Sequence, residues 1–152
     1  MERKIIITDT DFLSAFLKIE KLDLVFKALE TEEINITKAV LQEIEKAPVY
    51  QKYTQFTQSQ NQKIKIQEVK IIPNQDLGVG ELESISLAIE TNALLLMNDR
   101  KAAKYAETQR VIVMDIPIFL LHCKTSNFAS SSEIKEIIEQ LKEKDYYELS
   151  EE

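Results

Sequence analysis

The chain of 152 residues has one cysteine, one histidine, no tryptophan, two glycines and three prolines, and each scarcity removes a class of function. Cys123 alone can form no internal disulfide and no cysteine-based zinc site, which fits a reducing compartment and a small buried hydrophobe. A single histidine, His122, argues against a histidine metal site, and no Cys–His pairing falls at useful spacing. The two glycines, Gly78 and Gly80, form a Gly-x-Gly with Glu81 next and no third glycine, so there is no dinucleotide fingerprint; a Walker loop and a Gly-x-Ser-x-Gly elbow are also missing. No long apolar run exists. Three residues, Glu2, Arg3 and Lys4, precede a few isoleucines and then Asp9, which is neither a signal peptide nor a spanning segment, so a cytoplasmic protein is expected. Few glycines and prolines leave no long linker, and the length suits one compact domain over residues 1–145 with an acidic tail at 146–152. Basic residues are also outnumbered, 19 against 26 acidic, for a net charge of −7. That balance speaks against coating nucleic acid by bulk attraction, although a bound cation reverses the field locally.

What is present begins with Lys4-Ile-Ile-Ile-Thr8-Asp9-Thr10-Asp11, an apolar run that stops on acid. Unalternating β-branched residues suit a strand covered on both faces, as in parallel sheets, and Asp9 then stands at a strand's carboxyl end, where open α/β sheets bind ligands. Taken alone, an Asp after a strand is simply a helix cap. Two short amphipathic helices follow, marked by Phe12, Leu13, Phe16, Leu17 and then Leu22, Val25, Phe26, Leu29. Glu33 to Ile36 reads as a strand and Thr37 as the cap of a helix from Lys38 to Ala47, with Glu43 bordering its buried face and Glu45 on the solvated side. Tyr50, Tyr53 and Phe56 place an aromatic stripe on a glutamine-rich helix ending near Gln62. Lys63 to Pro73 is strand-like, and Asn74-Gln75-Asp76 with the two glycines makes a turn. A helix over Glu81 to Glu90, a strand Ala93 to Met97 ending on Asn98-Asp99, a helix Arg100 to Glu107, a strand Arg110 to Met114, a helix Ile116 to Lys124 and a capping-box helix from Ser130 to Lys144 complete the chain. This alternation implies a three-layer α/β/α architecture with a mostly parallel central sheet.

Four acidic positions stand out: Asp9 and Asp99 at strand ends, Glu43 beside a core face, and Glu81 or Glu83 opening a helix. Such carboxylates gathered at one sheet edge repel one another unless a cation joins them, and hard oxygen donors select Mg2+ or Mn2+ over zinc. Metal-assisted hydrolysis is the chemistry left to these residues.

In these motifs the chain resembles the PIN domains, metal-dependent ribonucleases that include toxins of VapBC-type toxin–antitoxin pairs. Ile7-Thr8-Asp9-Thr10-Asp11-Phe12-Leu13 resembles the family's opening strand and first acid, and Val40-Leu-Gln-Glu43-Ile44 the helix with the second. Gly80-Glu81-Leu-Glu83-Ser-Ile-Ser-Leu-Ala88 and Leu94-Leu-Leu-Met-Asn-Asp99 resemble the segments with the third and fourth. The likeness implies that Asp9, Glu43, Glu83 and Asp99 are the metal-binding catalytic acids, with Glu81 and Asp11 as further candidates and Mg2+ or Mn2+ as cofactor. Residues two apart on a helix point about 200° apart, so only one of Glu81 and Glu83 can face a cation; the likeness aligns Glu83 with the family's third acid and leaves Glu81 near the helix's amino end, so Glu83 is preferred. Implied too are single-stranded RNA as substrate, an antitoxin protein as partner, and a homodimer, for which Tyr50, Tyr53 and Phe56 offer an apolar patch. Arg100, Lys101 and Lys104 are the nearest phosphate contacts, with Lys38 and Lys46 behind them. Two positions depart from the family: Asp11, more often small and polar, and Met97, where many members carry Thr or Ser.

Two readings compete from other classes. A hydrophobic strand before Asp9-Thr10-Asp11 also resembles the nucleophile loop of haloacid-dehalogenase-type phosphatases, but a later paired-acid motif is not evident and Glu43 is left without work; a receiver domain lacks its acceptor Asp. A noncatalytic binding module on the PIN fold is the stronger competitor, and metal binding separates it from an enzyme.

Overall fold

A computed structural model of the chain describes residues 4–59, 62–71, 74 and 76–145. In order, its elements are β1 (Ile6–Thr8), α1 (Thr10–Lys18), α2 (Leu22–Ala28), β2 (Glu33–Thr37), α3 (Lys38–Glu45), α4 (Tyr50–Thr57), β3 (Lys63–Gln67), α5 (Val79–Thr91), β4 (Leu94–Leu96), α6 (Arg100–Thr108), β5 (Ile112–Met114), α7 (Ile116–Thr125) and α8 (Ser131–Lys144). All five strands are parallel, in the order β3-β2-β1-β4-β5. The chain therefore builds outward from β1 through β2 to β3, then crosses back to place β4 on the other side of β1. Between β1 and β4 the winding direction reverses, and a crevice opens at their carboxyl ends.

The run of isoleucines is explained by two separate cores. Ile6 and Leu96 pack with side chains of α1, α2, α3, α4, α7 and α8, whereas Ile7 and Leu95 pack with those of α5 and α6. Neighbouring residues of one strand thus serve opposite faces, which is why the run does not alternate. On the first face Phe12, Phe16 and Phe119 are fully buried, with Phe119 edge-on to the other two at 5.8 and 5.3 Å. Each such ring contributes about 1.5–3 kcal/mol by burial, which clamps α1, and with it the end of β1, against α7.

Most expected elements are present, and the helix caps are the expected ones. The Thr37 hydroxyl accepts from Val40 N at 3.3 Å, and Ser130 and Glu133 form a reciprocal box at 3.2 and 3.0 Å. Three expectations change. The strand expected over Lys63 to Pro73 ends at Gln67; Val69 follows outside it, Ile71 is exposed, and Ile72, Pro73 and Gln75 lie outside the described residues, as does the tail at 146–152. As an edge strand, β3 carries Lys63 and Lys65 exposed, a common guard against edge pairing. The helix expected to open at Glu81 begins at Val79, two residues earlier. The aromatic stripe, finally, turns inward. Tyr53 is buried and Phe56 stacks on Phe26 at 5.6 Å, leaving Tyr50 as its one exposed member, so α4 does not present the patch on which a dimer was expected. No helix among the described residues is long and apolar enough to cross a membrane.

Candidate metal centre

The crevice between β1 and β4 collects carboxylates from four elements. Asp9 follows β1 and is tied to β4 by its amide, which donates to Leu96 O at 3.0 Å, while its Oδ1 accepts from Phe12 N at 3.1 Å and caps α1. Only 3% of it is exposed. Burial pushes its carboxyl well above the ordinary aspartate range; the Phe12 amide opposes this, and the charges of Asp11, Glu81 and Asp99 add to it. Asp99, the cap of α6, accepts from Ala102 N at 2.9 Å. Glu81, in the first turn of α5, accepts from Gly78 N at 3.1 Å. Its carboxyl too is raised, first by burial and then by Asp99 and Asp11, and a hydrogen bond to Asp99 favours its protonated form. Asp11 is raised by burial and by Asp99 and Glu43. Glu43 reaches in from α3 and accepts from the Thr10 hydroxyl at 2.5 Å.

Gly80 is what lets Glu43 arrive. A Cβ there would fall inside van der Waals contact of Glu43 Oε1 and stand 3.0 Å from its Cδ, so glycine is what leaves that carboxylate in its present position beside α5. Neither glycine has positive φ; close approach is the reason for this one. The resulting cavity, about 130 Å³, is lined by Asp9, Thr10, Asp11, Glu43, Glu81 and the two glycines. A larger one, about 370 Å³, lies over Phe16, Leu22 and Phe56, but its rim carries Lys52 beside Glu20 at 3.8 Å rather than convergent acids. Volume does not mark the centre here; chemistry does.

Of the expected acids, Asp9, Glu43 and Asp99 gather here, joined by Asp11 and Glu81. Glu83 does not: its Oε1 accepts from Ala39 N at 3.0 Å, at the amino end of α3. Geometry thus places Glu81 among the carboxylates and Glu83 outside the cavity, although Glu83 was the expected member of the set. Arg100, Lys101 and Lys104 are exposed on α6 and do not line the cavity; Lys38 is paired with Glu68 at 2.8 Å. Met97 is fully buried with the α5 and α6 side chains, so a hydroxyl at this position would sit in a core. Sequence reasoning missed Thr10, whose signal was a hydroxyl flanked by two acids, and the reason for Gly80. As the side chains stand, no three acids, histidines or cysteines among the described residues are placed to hold an ion. Asp9, Glu43, Glu81 and Asp99 are each instead drawn to a protein donor.

A sequence profile of the PIN domain matches residues 5–152. The chain belongs to the PIN-domain family. Among solved structures it is similar to a PilT N-terminus domain protein from the hyperthermophilic archaeon Sulfolobus solfataricus P2, at 14% identity and a TM-score of 0.55, covering 97% of this chain and 100% of that one. That likeness carries the fold. No curated protein sequence matches the chain. The PIN fold is of the nuclease type and its members generally use divalent metals, which fits the all-oxygen character of the donors in the crevice.

Proposed function

We propose that this PIN domain is a divalent-metal-dependent ribonuclease that hydrolyses phosphodiester bonds of single-stranded RNA, with Asp9, Glu43, Glu81 and Asp99 holding Mg2+ or Mn2+ and Asp11 beside them. The observation that supports this most is the convergence of carboxylates from α1, α3, α5 and α6 on the β1/β4 crevice, three of them raised by burial and mutual charge. A cation relieves that repulsion, and Gly80 clears the room Glu43 needs. When bound, it would supply Lewis acidity toward a phosphate oxygen and toward water.

The chain's own part is preorganisation. Phe12 N and Ala102 N each hold one oxygen of Asp9 and Asp99, so these carboxylates need little reorganisation when charge develops on a substrate. Arg100, Lys101 and Lys104, exposed just after Asp99, offer contacts to flanking phosphates that position an RNA strand without reading its sequence. Placing Glu81 in the set, in exchange for Glu83, is the finer part of this reading. Toxin activity is a further step, tested by growth arrest on expression and its relief by the product of an adjacent reading frame. For the enzyme reading, the measurement is cleavage of varied single-stranded RNAs with Mg2+ or Mn2+ together with calorimetric titration of each ion. Cleavage that chelator abolishes is expected; a wild type that neither cleaves nor binds either ion overturns it.

A further inference from the structure

Four of the carboxylates in the crevice, Asp9, Glu43, Glu81 and Asp99, each have one oxygen held by a protein donor, and one of these tethers differs in kind. Asp9, Asp99 and Glu81 are held by backbone amides three residues away in their own segment, from Phe12, Ala102 and Gly78. Such amides come with the helix start and cannot be altered by substitution. Glu43 is held instead by a side chain from another element, the Thr10 hydroxyl on α1, 33 positions away, at 2.5 Å. Glu43 also has the longest reach of any side-chain type in the set, shared with Glu81, and it projects from an exposed part of α3. Without a fixed partner a glutamate there samples several rotamers, and ordering it costs conformational entropy when a cation binds.

We propose that Thr10 is a positioning residue for Glu43: its hydroxyl, working opposite the space left by Gly80, sets the carboxylate's orientation in advance and thereby the affinity of the centre for its cation. This rests on the metal-dependent reading given above. The hydroxyl donates to Glu43 Oε1, and no donor among the described residues takes Oε2, so one oxygen is committed to orientation and the other is left for a ligand. Gly80 acts from the far side, since any Cβ there would push Glu43 Oε1 off the position at which Thr10 meets it. The hydroxyl touches no substrate in this scheme; it acts through Glu43. Partners of this type, one step removed from a metal, typically alter affinity by about 10- to 100-fold.

Thr10→Val removes the hydroxyl at nearly constant shape, Thr10→Ser keeps it, and Gly80→Ala disturbs the same carboxylate independently. Mn2+ affinity is read by calorimetry, and RNA cleavage is followed as a function of Mn2+ concentration. Thr10→Val is expected to weaken Mn2+ binding by about 10-fold or more and to shift the Mn2+ concentration for half-maximal cleavage by a similar factor, with the rate at saturating Mn2+ largely recovered. Thr10→Ser should bind nearly as the wild type does, and Gly80→Ala should weaken binding as Thr10→Val does. In a Glu43→Gln background Thr10→Val should have little further effect, because the two residues act as one unit. A Thr10→Val chain that binds Mn2+ as tightly as the wild type overturns the proposal alone. So does a valine effect of full size in the Glu43→Gln background, or a serine variant as weak as valine. A wild type that binds no Mn2+ overturns the metal reading as well, which distinguishes the two failures.

Discussion

Asp9 and Asp115 do the same local work in different parts of the sheet. Both end a strand and both cap the helix that follows, Asp9 through Phe12 N at 3.1 Å and Asp115 through Ile118 N at 2.8 Å. By their side-chain hydrogen bonds alone they are indistinguishable. Their surroundings differ because β1 is the central strand, where the winding reverses, while β5 is an edge. Around Asp9 stand Asp11, Glu81 and Asp99; beside Asp115 the chain instead places Asn98, whose Oδ1 accepts from Ile116 N at 3.1 Å. A strand-ending Asp is therefore a cap by local chemistry and becomes a candidate ligand only through topology.

The sharpest way to break that comparison is to neutralise each residue without losing its cap, which Asn preserves. Asp9→Asn is expected to lower metal-dependent RNA cleavage by at least about 100-fold, the scale of removing one preorganised electrostatic group. Asp115→Asn should leave it within a small factor of wild type. Single-turnover rates at saturating Mn2+ check both, and equal losses would mean that position in the sheet does not separate them.

The same contrast recurs two residues apart on α5, where Glu81 and Glu83 both accept from a backbone amide but only Glu81 does so beside other acids. Glu81→Gln is expected to lose most cleavage and most of the stabilisation that Mn2+ adds. Glu83→Ala should keep both but lower stability by about 1–3 kcal/mol, the cost of removing a charged acceptor from a partly buried amide. The opposite pattern in thermal melts with and without Mn2+ would restore Glu83 as the ligand.

This pair also shows where the sequence stops being legible. The strands were readable because a strand buried on two faces is mostly apolar without alternation, as Ile6 and Ile7 demonstrate by entering different cores. The convergence of Asp9, Glu43 and Asp99 was readable because each is placed by an element whose start or apolar face the pattern defines. Which of Glu81 and Glu83 lies beside them was not, since glycines on both sides of Val79 leave the start of α5 open and the close approach of Gly80 to Glu43 joins residues distant in the chain. Likewise Tyr53 and Phe56 showed a stripe, but which neighbour it met, the body or a second chain, depended on Phe26 in a distant helix.

A smaller effect follows from that inward stripe and bears on whether the crevice is insulated from burial elsewhere. Phe56→Ala should cost about 2–3 kcal/mol, somewhat below a fully buried ring, without altering Mn2+ affinity. Tyr50→Ala, at the exposed end, should cost far less. Light scattering on both variants separates this from a dimer role: a change in mass relative to wild type would return the stripe to an interface.

The smallest expected effect is a slope. Asp9, Asp11 and Glu81 all have carboxyl groups raised in the folded chain, so between the ordinary carboxylate range near about pH 4 and their raised values the folded state binds more protons than the unfolded one. Stability in chelator must then fall as pH rises through that window, the reverse of the behaviour of a salt-bridged acid. Glu68 and Glu133 are lowered and pull the other way, but both are exposed and weakly coupled, and they are common to every variant. The informative quantity is therefore a difference. In chelator, Asp9→Asn should melt above wild type near neutral pH, with the gap closing toward about pH 4, where the wild-type carboxyl is protonated as well. Saturating Mn2+ should reverse the order of Asp9→Asn and wild type, because the cation stabilises the chain that keeps the carboxylate. If instead Asp9→Asn melts below wild type in chelator across this range, Asp9 is held by attraction rather than against repulsion, and the crevice at β1 and β4 differs from the edge at β5 only in depth.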